Sequence, residues 1–166
     1  MATTTTNQVN EGAAMQSRVV TQRVACDWRR AYALASDPAR LPDWASGLAK
    51  SALVPHGDHW VATTPDGEAR LRFAPANDYG VLDHWVAPEG VPEIYLPFRV
   101  IGVAPGICEL QFTLLRQPHM DDAAFERDAA WIARDLQSLR RLLEVGGVAS
   151  HMAALIGADS CAGPMA

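Results

Sequence analysis

The stretch Asn77 to Val86, NDYGVLDHWV, sets a carboxylate and an imidazole side by side, Asp83 and His84, inside a run that otherwise suits a buried strand. Such a pair is either a set of satisfied structural polar groups or it looks into a cavity where something binds or reacts. A histidine titrates near neutrality, so His84 is suited to general-base work. Asp83 is suited to holding a guanidinium in a charge-assisted pair, and Arg99 is the guanidinium within reach. A regular hairpin around APG pairs Ala104 with Ile107 and therefore sets Val103 opposite Cys108, Ile101 opposite Leu110 and Arg99 opposite Phe112. Cys108, Leu110, Phe112 and Leu114 alternate with Glu109, Gln111 and Thr113, so the apolar set faces the core and parity turns Arg99 inward with it. An inward guanidinium demands an acceptor. Asp83 or His84 shares its face, depending on a one-residue choice of register, and Asp83 is the better electrostatic partner. Two alternatives stay open: the pair only locks the register, or a bulge near Pro97 turns Arg99 outward and brings Val100 inside.

Other residues carry weaker signals. His56, Asp58 and His59 are metal-ligand types, but they fall in a hairpin turn with no fourth ligand, so a solvated turn and no metal are expected. Trp44, Trp60, Trp85 and Trp131, with Tyr79, Tyr95, Phe73 and Phe112, are core residues singly and together would suit a cavity for planar ligands. Trp131 lies off the main stripe of its helix, where it covers a sheet edge or marks a dimer contact; Asp128 and Asp135 read as solvated. Cys26, Cys108 and Cys161 form neither a CxxC pair nor an even framework. GxGxxG, Walker-type, HExxH and GxSxG motifs do not occur, so no cofactor is indicated and covalent catalysis lacks support.

The chain of 166 residues, 49% hydrophobic and 20% charged, fits one globular domain. A net charge of -5 leaves no basic footprint for nucleic acid. The start, MATTTTNQVNEGAAMQS, has neither a basic n-region nor an apolar h-region, and no window approaches 18 uncharged apolar residues. The expected location is the cytoplasm, with reduced thiols and no membrane span. Residues 1–16 and 149–166 read as loose tails around a domain over 17–148.

These candidates need elements to position them. SRVVTQRVA alternates as a first strand, Asp27 caps a short helix over WRRAYALAS, and Asp37-Pro38 starts another over PARLPDWA. From Leu48 to Arg116, turn signals every eight to twelve residues separate six short antiparallel strands. The segment MDDAAFERDAAWIARDLQSLRRLLEVGG opens on Asp121-Asp122 and keeps Phe125, Ala129, Ile132, Leu136, Leu139 and Leu143 at spacings of four and three. It closes on Gly146-Gly147, giving one amphipathic helix of about six turns.

This α+β order, together with ALASDPARLPDWASGL, FAPANDYGVLDHWV, PFRVIG and CELQFTLLRQPHM, resembles the START-like or SRPBCC superfamily, which includes Bet v 1-like and polyketide cyclase/dehydrase-like proteins of bacteria. The resemblance implies a helix-grip fold: a seven-stranded curved antiparallel sheet around the long C-terminal helix, with a cavity between them. It implies a small hydrophobic or aromatic ligand, lipid-like or polyketide-like; the sequence leaves monomer and homodimer both open. Walls are expected from Trp44, Phe73, Leu110, Phe112, Phe125 and Ile132. Arg99 would then anchor a carboxylate or phenolate, and Asp83, His84 and Asn77 would supply the remaining polar contacts. The rival reading is an aromatase/cyclase-type enzyme in which His84 and Asp83 move protons and Arg99 stabilises an enolate. A co-chaperone-like interaction module is a weaker alternative.

Overall fold

The computed structural model describes residues 16–46, 53–64 and 67–157, with side chains up to residue 145. Its order is β1 (Ser17–Val24), α1 (Trp28–Ala35), a 3-10 helix (Pro38–Asp43), β2 (Val54–His56), β3 (His59–Thr64), β4 (Gly67–Phe73), β5 (His84–Pro88), β6 (Ile94–Leu96), β7 (Phe98–Ala104), β8 (Ile107–Leu115) and α2 (Asp122–Gly157). Asp27 caps α1 by accepting from the Arg29 amide at 2.9 Å, and Asp37 does the same for Ala39. The second helical piece winds as a 3-10 helix. Its interior Pro42 has no N–H to give an α-helical ladder.

Among the described residues the strands are antiparallel and form two sheets, β1-β8-β7 and β2-β3-β4-β5-β6, eight strands in place of the expected seven. Pro97 is the reason for the extra strand. It ends β6, which pairs with β5, and the chain re-enters as β7, which pairs with β8. Pro97 has no N–H to donate, but its carbonyl accepts from the Thr113 amide at 2.9 Å and starts the new ladder.

The register of β7 corrects the expected one. Ala104 pairs with Ile107 as predicted, but Val103 is an extra residue, so Gly102 meets Cys108, Val100 meets Leu110, Arg99 meets Gln111 and Phe98 meets Phe112. One bulged residue inverts the parity of everything before it. Phe98 and Val100 are therefore buried, and Arg99 turns away from the core with 37% of its side chain exposed.

Helix α2 crosses the sheets with its predicted stripe inward: Leu136, Leu139 and Leu143 are fully buried, Phe125 and Ala129 nearly so. Each full burial of a leucine contributes about 1.5–3 kcal/mol. Asp121 caps the helix, its Oδ1 accepting from the Ala124 amide at 2.7 Å. The helix does not stop at Gly146-Gly147 but continues to Gly157. The expected N-terminal tail lies outside the described residues except for Gln16, as do residues 158–166, Cys161 among them.

Candidate functional site

Asp83 and His84 are both buried, yet they do different things. Asp83 precedes β5 in backbone outside the ladder, so it does not obey strand alternation. Its carboxylate gathers three donors: the Tyr95 hydroxyl at 2.6 Å, the Phe98 amide at 3.0 Å and the Arg99 guanidinium through Nη1. Arg99 Nη1 also donates to the Phe98 carbonyl at 2.9 Å. Residues 98 and 99 belong to the three-stranded sheet and Tyr95 to the five-stranded one, so Asp83 clips the two sheets at their seam. The structure thus brings Asp83 and Arg99 together, on the side of β7 facing away from the core.

His84 faces inward. Its Nδ1 lies 3.1 Å from the Leu82 carbonyl. A carbonyl only accepts, so Nδ1 carries the hydrogen and Nε2 is left as an acceptor. Burial pushes the imidazole pKa below its ordinary value, opposed by the Leu82 carbonyl, and keeps the ring neutral. Phe73 and Phe112 flank it, with ring centroids 5.9 Å away on each side. The aromatic row continues from Phe112 to Phe98 at 5.7 Å and from Phe98 to Trp44 at 6.1 Å.

Three members of this row, Trp44, His84 and Phe112, line a cleft of about 300 Å³ between the sheet and α2, which Phe73 and Phe98 do not reach. Trp44 and His84 line it from the sheet side, with Phe112 and Leu114, while Ile132 and Leu136 line it from the helix. Trp44 is only 6% exposed, yet its indole Nε1–H has no hydrogen-bond partner. Trp44 and His84 also line a smaller chamber of about 110 Å³, where Phe73, Tyr32 and Asp83 contribute. The rim of the main cleft carries Asp128, Trp131 and Asp135. Ser46 ties that rim to the segment after the 3-10 helix: its Oγ donates to Asp135 at 2.8 Å and accepts from Trp131 Nε1 at 3.2 Å. Among the described residues neither Lys nor Arg lines the cleft.

Several expectations change on this geometry. Arg99 is not among the residues lining the cleft and offers no anchor for an anion there. Asn77 builds its own loop: its Oδ1 accepts from the Tyr79 and Val81 amides and its Nδ2 donates to the Pro75 and Val81 carbonyls. Leu110 is packed in the core without reaching the cleft. Phe125 joins Leu114 and Ala129 in a second cluster, under the guanidiniums of Arg18 and Arg116. Trp131, Asp128 and Asp135, expected elsewhere, stand at the rim. Their spacing of three and four residues was the available signal, since it puts them on one helix face. Among the described residues no group of three or more His, Cys, Asp or Glu is arranged to hold a metal, and no helix is long and apolar enough to cross a membrane.

No protein-family model and no curated protein matches the sequence. Solved structures do share its architecture. The XoxI protein from Bacillus cereus superposes with a TM-score of 0.63 at 18% identity, over 78% of this chain and 96% of its own. A START superfamily protein from Mycobacterium smegmatis gives 0.60 at 12% identity, over 77% and 97%. DynU16, from the dynemicin biosynthetic locus, gives 0.61 at 18%, over 78% of this chain and 48% of its own. With antiparallel sheets gripping a long C-terminal helix, the chain has the START-like helix-grip fold.

Proposed function

We propose that the protein binds an uncharged aromatic molecule in the cleft between the sheet and α2, through a hydroxyl or carbonyl group held by Trp44 and His84. One observation carries this reading: the Trp44 Nε1–H is buried without an acceptor. A buried donor left unpaired costs about 1–3 kcal/mol, and a ligand oxygen removes that cost. His84 supplies the complementary acceptor at Nε2, so a single phenolic hydroxyl can accept from Trp44 and donate to His84. The surrounding Phe112, Ile132 and Leu136 suit an apolar ring. Among the described residues the lining carries Asp128 and Asp135 and no Lys or Arg, which disfavours a carboxylate. The origin of DynU16 in a biosynthetic locus agrees with small-molecule handling on this fold.

A second reading rests on His84 alone. A neutral imidazole with a lone pair at a cavity wall has the chemistry of a general base. Asp83 and Arg99, its partners in the aromatase/cyclase reading, are engaged with each other at the seam, which favours binding over catalysis.

Calorimetric titration with 2-naphthol, naphthalene and 2-naphthoate tests the proposal. The expected order is 2-naphthol first, naphthalene weaker and 2-naphthoate weakest. Trp44→Phe should weaken 2-naphthol about tenfold, the worth of one hydrogen bond of about 1.4 kcal/mol, and leave naphthalene unchanged. Tighter binding of 2-naphthoate, or equal losses for both neutral probes, would overturn it.

A further inference from the structure

The cleft does not end at the aromatic wall. A second chamber of about 390 Å³ lies beside it along α2, lined by Val86, Ile94, Met120 and Ala124. The two chambers share Leu96, Leu114 and Asp128, so they are neighbours under the N-terminal part of the helix, with these side chains between them. The outer chamber is larger in volume than the cleft, and its lining combines aliphatic side chains with Gln117, His119 and Arg127. Among the described residues its lining has no Phe, Tyr or Trp, in contrast to the row of rings around His84. The volume of the cleft alone sits at the bottom of the range for small-molecule sites, roughly 300–1,000 Å³. The two together fall well inside it.

We infer that the ligand is elongated and two-part: a planar hydroxylated head between Trp44 and His84, and a flexible aliphatic arm that passes Leu96 and Leu114 into the outer chamber. This rests on the binding reading above and deepens it by naming the substrate class. The linings carry the assignment, since a ring packs on Trp44, His84 and Phe112 at one end and an alkyl arm on Ile94, Leu96 and Met120 at the other. The helix sets the length. Ala124 and Leu136 mark its far ends in the two chambers and lie about 18 Å apart at 1.5 Å per residue. A fused ring pair with an alkyl arm spans that distance; a fused ring pair alone does not.

The test compares 2-naphthol with 6-hexyl-2-naphthol on the full chain, with Ala124→Trp as the variant. Ala124 lines only the outer chamber and sits in the first turns of α2, where tryptophan fills space without touching the cleft. The hexyl compound should bind the native protein at least tenfold tighter than 2-naphthol. Ala124→Trp should abolish that gain and leave 2-naphthol unaffected. Circular dichroism melting shows whether the variant is folded, and Ala124→Leu, a smaller block with a partial loss, replaces it if it is not. If 2-naphthol binds but the arm adds nothing, or if its gain survives in the variant, the outer chamber is not part of the site. If neither compound binds, the cleft reading itself has failed.

Discussion

Asp83→Ala is expected to be among the most damaging single changes in the protein, although it alters nothing in the cleft wall opposite α2. The substitution removes the acceptor of three donors at once. Breaking a buried, hydrogen-bonded ion pair by deleting one partner costs about 3–5 kcal/mol. Arg99 pulls the figure down, because its guanidinium is 37% exposed on the side chain and water takes over part of its solvation. The Phe98 amide pushes it up, since it is buried in β7 and left without an acceptor at about 1–3 kcal/mol. The expected loss is about 4 kcal/mol. Arg99→Ala should cost only about 1 kcal/mol, because Asp83 keeps Tyr95 and the Phe98 amide. Urea unfolding followed by circular dichroism reads both: at about 2 kcal/mol per molar, Asp83→Ala moves the midpoint down by about 2 M. Asp83→Asn keeps an oxygen for the Phe98 amide and should fall between the two, which makes it the variant to use if the alanine does not fold. Equal losses for Asp83→Ala and Arg99→Ala would refute the reasoning, since the pair alone, and not the clip between sheets, would then carry the energy.

Three other outcomes follow from the geometry. Burial holds the His84 pKa below 6.5, so between that lowered value and 6.5 the unfolded chain binds a proton that the folded chain refuses. Stability should be full above pH 6.5 and fall below it by up to about 1.4 kcal/mol per pH unit; His84→Phe should flatten that limb, and an unchanged slope in urea titrations across it would count against a buried neutral ring. Gly80 has φ +71°, and a Cβ there would overlap the Val100 carbonyl oxygen. Gly80→Ala should therefore lose about 2 kcal/mol or more in the same assay, and a loss under about 0.5 kcal/mol would contradict the close approach of that loop to β7. Cys26 and Cys108 are buried, with the Cys108 thiol pushed up to about 11 by burial. Neither should be alkylated by iodoacetamide at pH 8 until urea unfolds the chain, as peptide mapping would report.

Much of the architecture could be read from local pattern. The stripe from Phe125 to Leu143 is a helical period held over five turns, and the capping acids Asp27, Asp37 and Asp121 each find the amide their position predicts. What local pattern did not carry was a count of one. Val103 adds a single residue to a hairpin whose loop was placed correctly, and that alone sends Arg99 outward and Phe98 inward. The alternation of β7 gives no warning, because Ile101 and Val103 are as apolar as Phe98 and Val100. Pro97 was recognisable as a break, but whether the chain bends there or changes sheets depends on partners far away in sequence. The pairing of Trp44 with His84 is equally nonlocal, since a 3-10 helix and a strand 40 residues apart meet only through Phe98 and Phe112.

The adjacency of Asp83 and His84 is explained by a division between charge and neutrality. A carboxylate facing an apolar cleft would need a cation beside it, and the pair would fill the space a ligand needs. Because residue 83 lies just outside the strand, its side chain swings to the seam, where Tyr95, Phe98 and half-exposed Arg99 satisfy it. His84, the first residue of β5, points the other way with its proton already committed to Leu82. On the reading proposed above, the ligand then meets one uncharged donor, Trp44 Nε1, and one uncharged acceptor, His84 Nε2. Polar atoms of that kind discriminate by direction and not by charge. A ligand is held there according to where its oxygen sits on its ring, so moving the hydroxyl of a naphthol from the 2-position to the 1-position should change affinity far more than moving the pH from 7 to 8. Equal affinity for the two isomers would mean that the apolar walls alone do the binding.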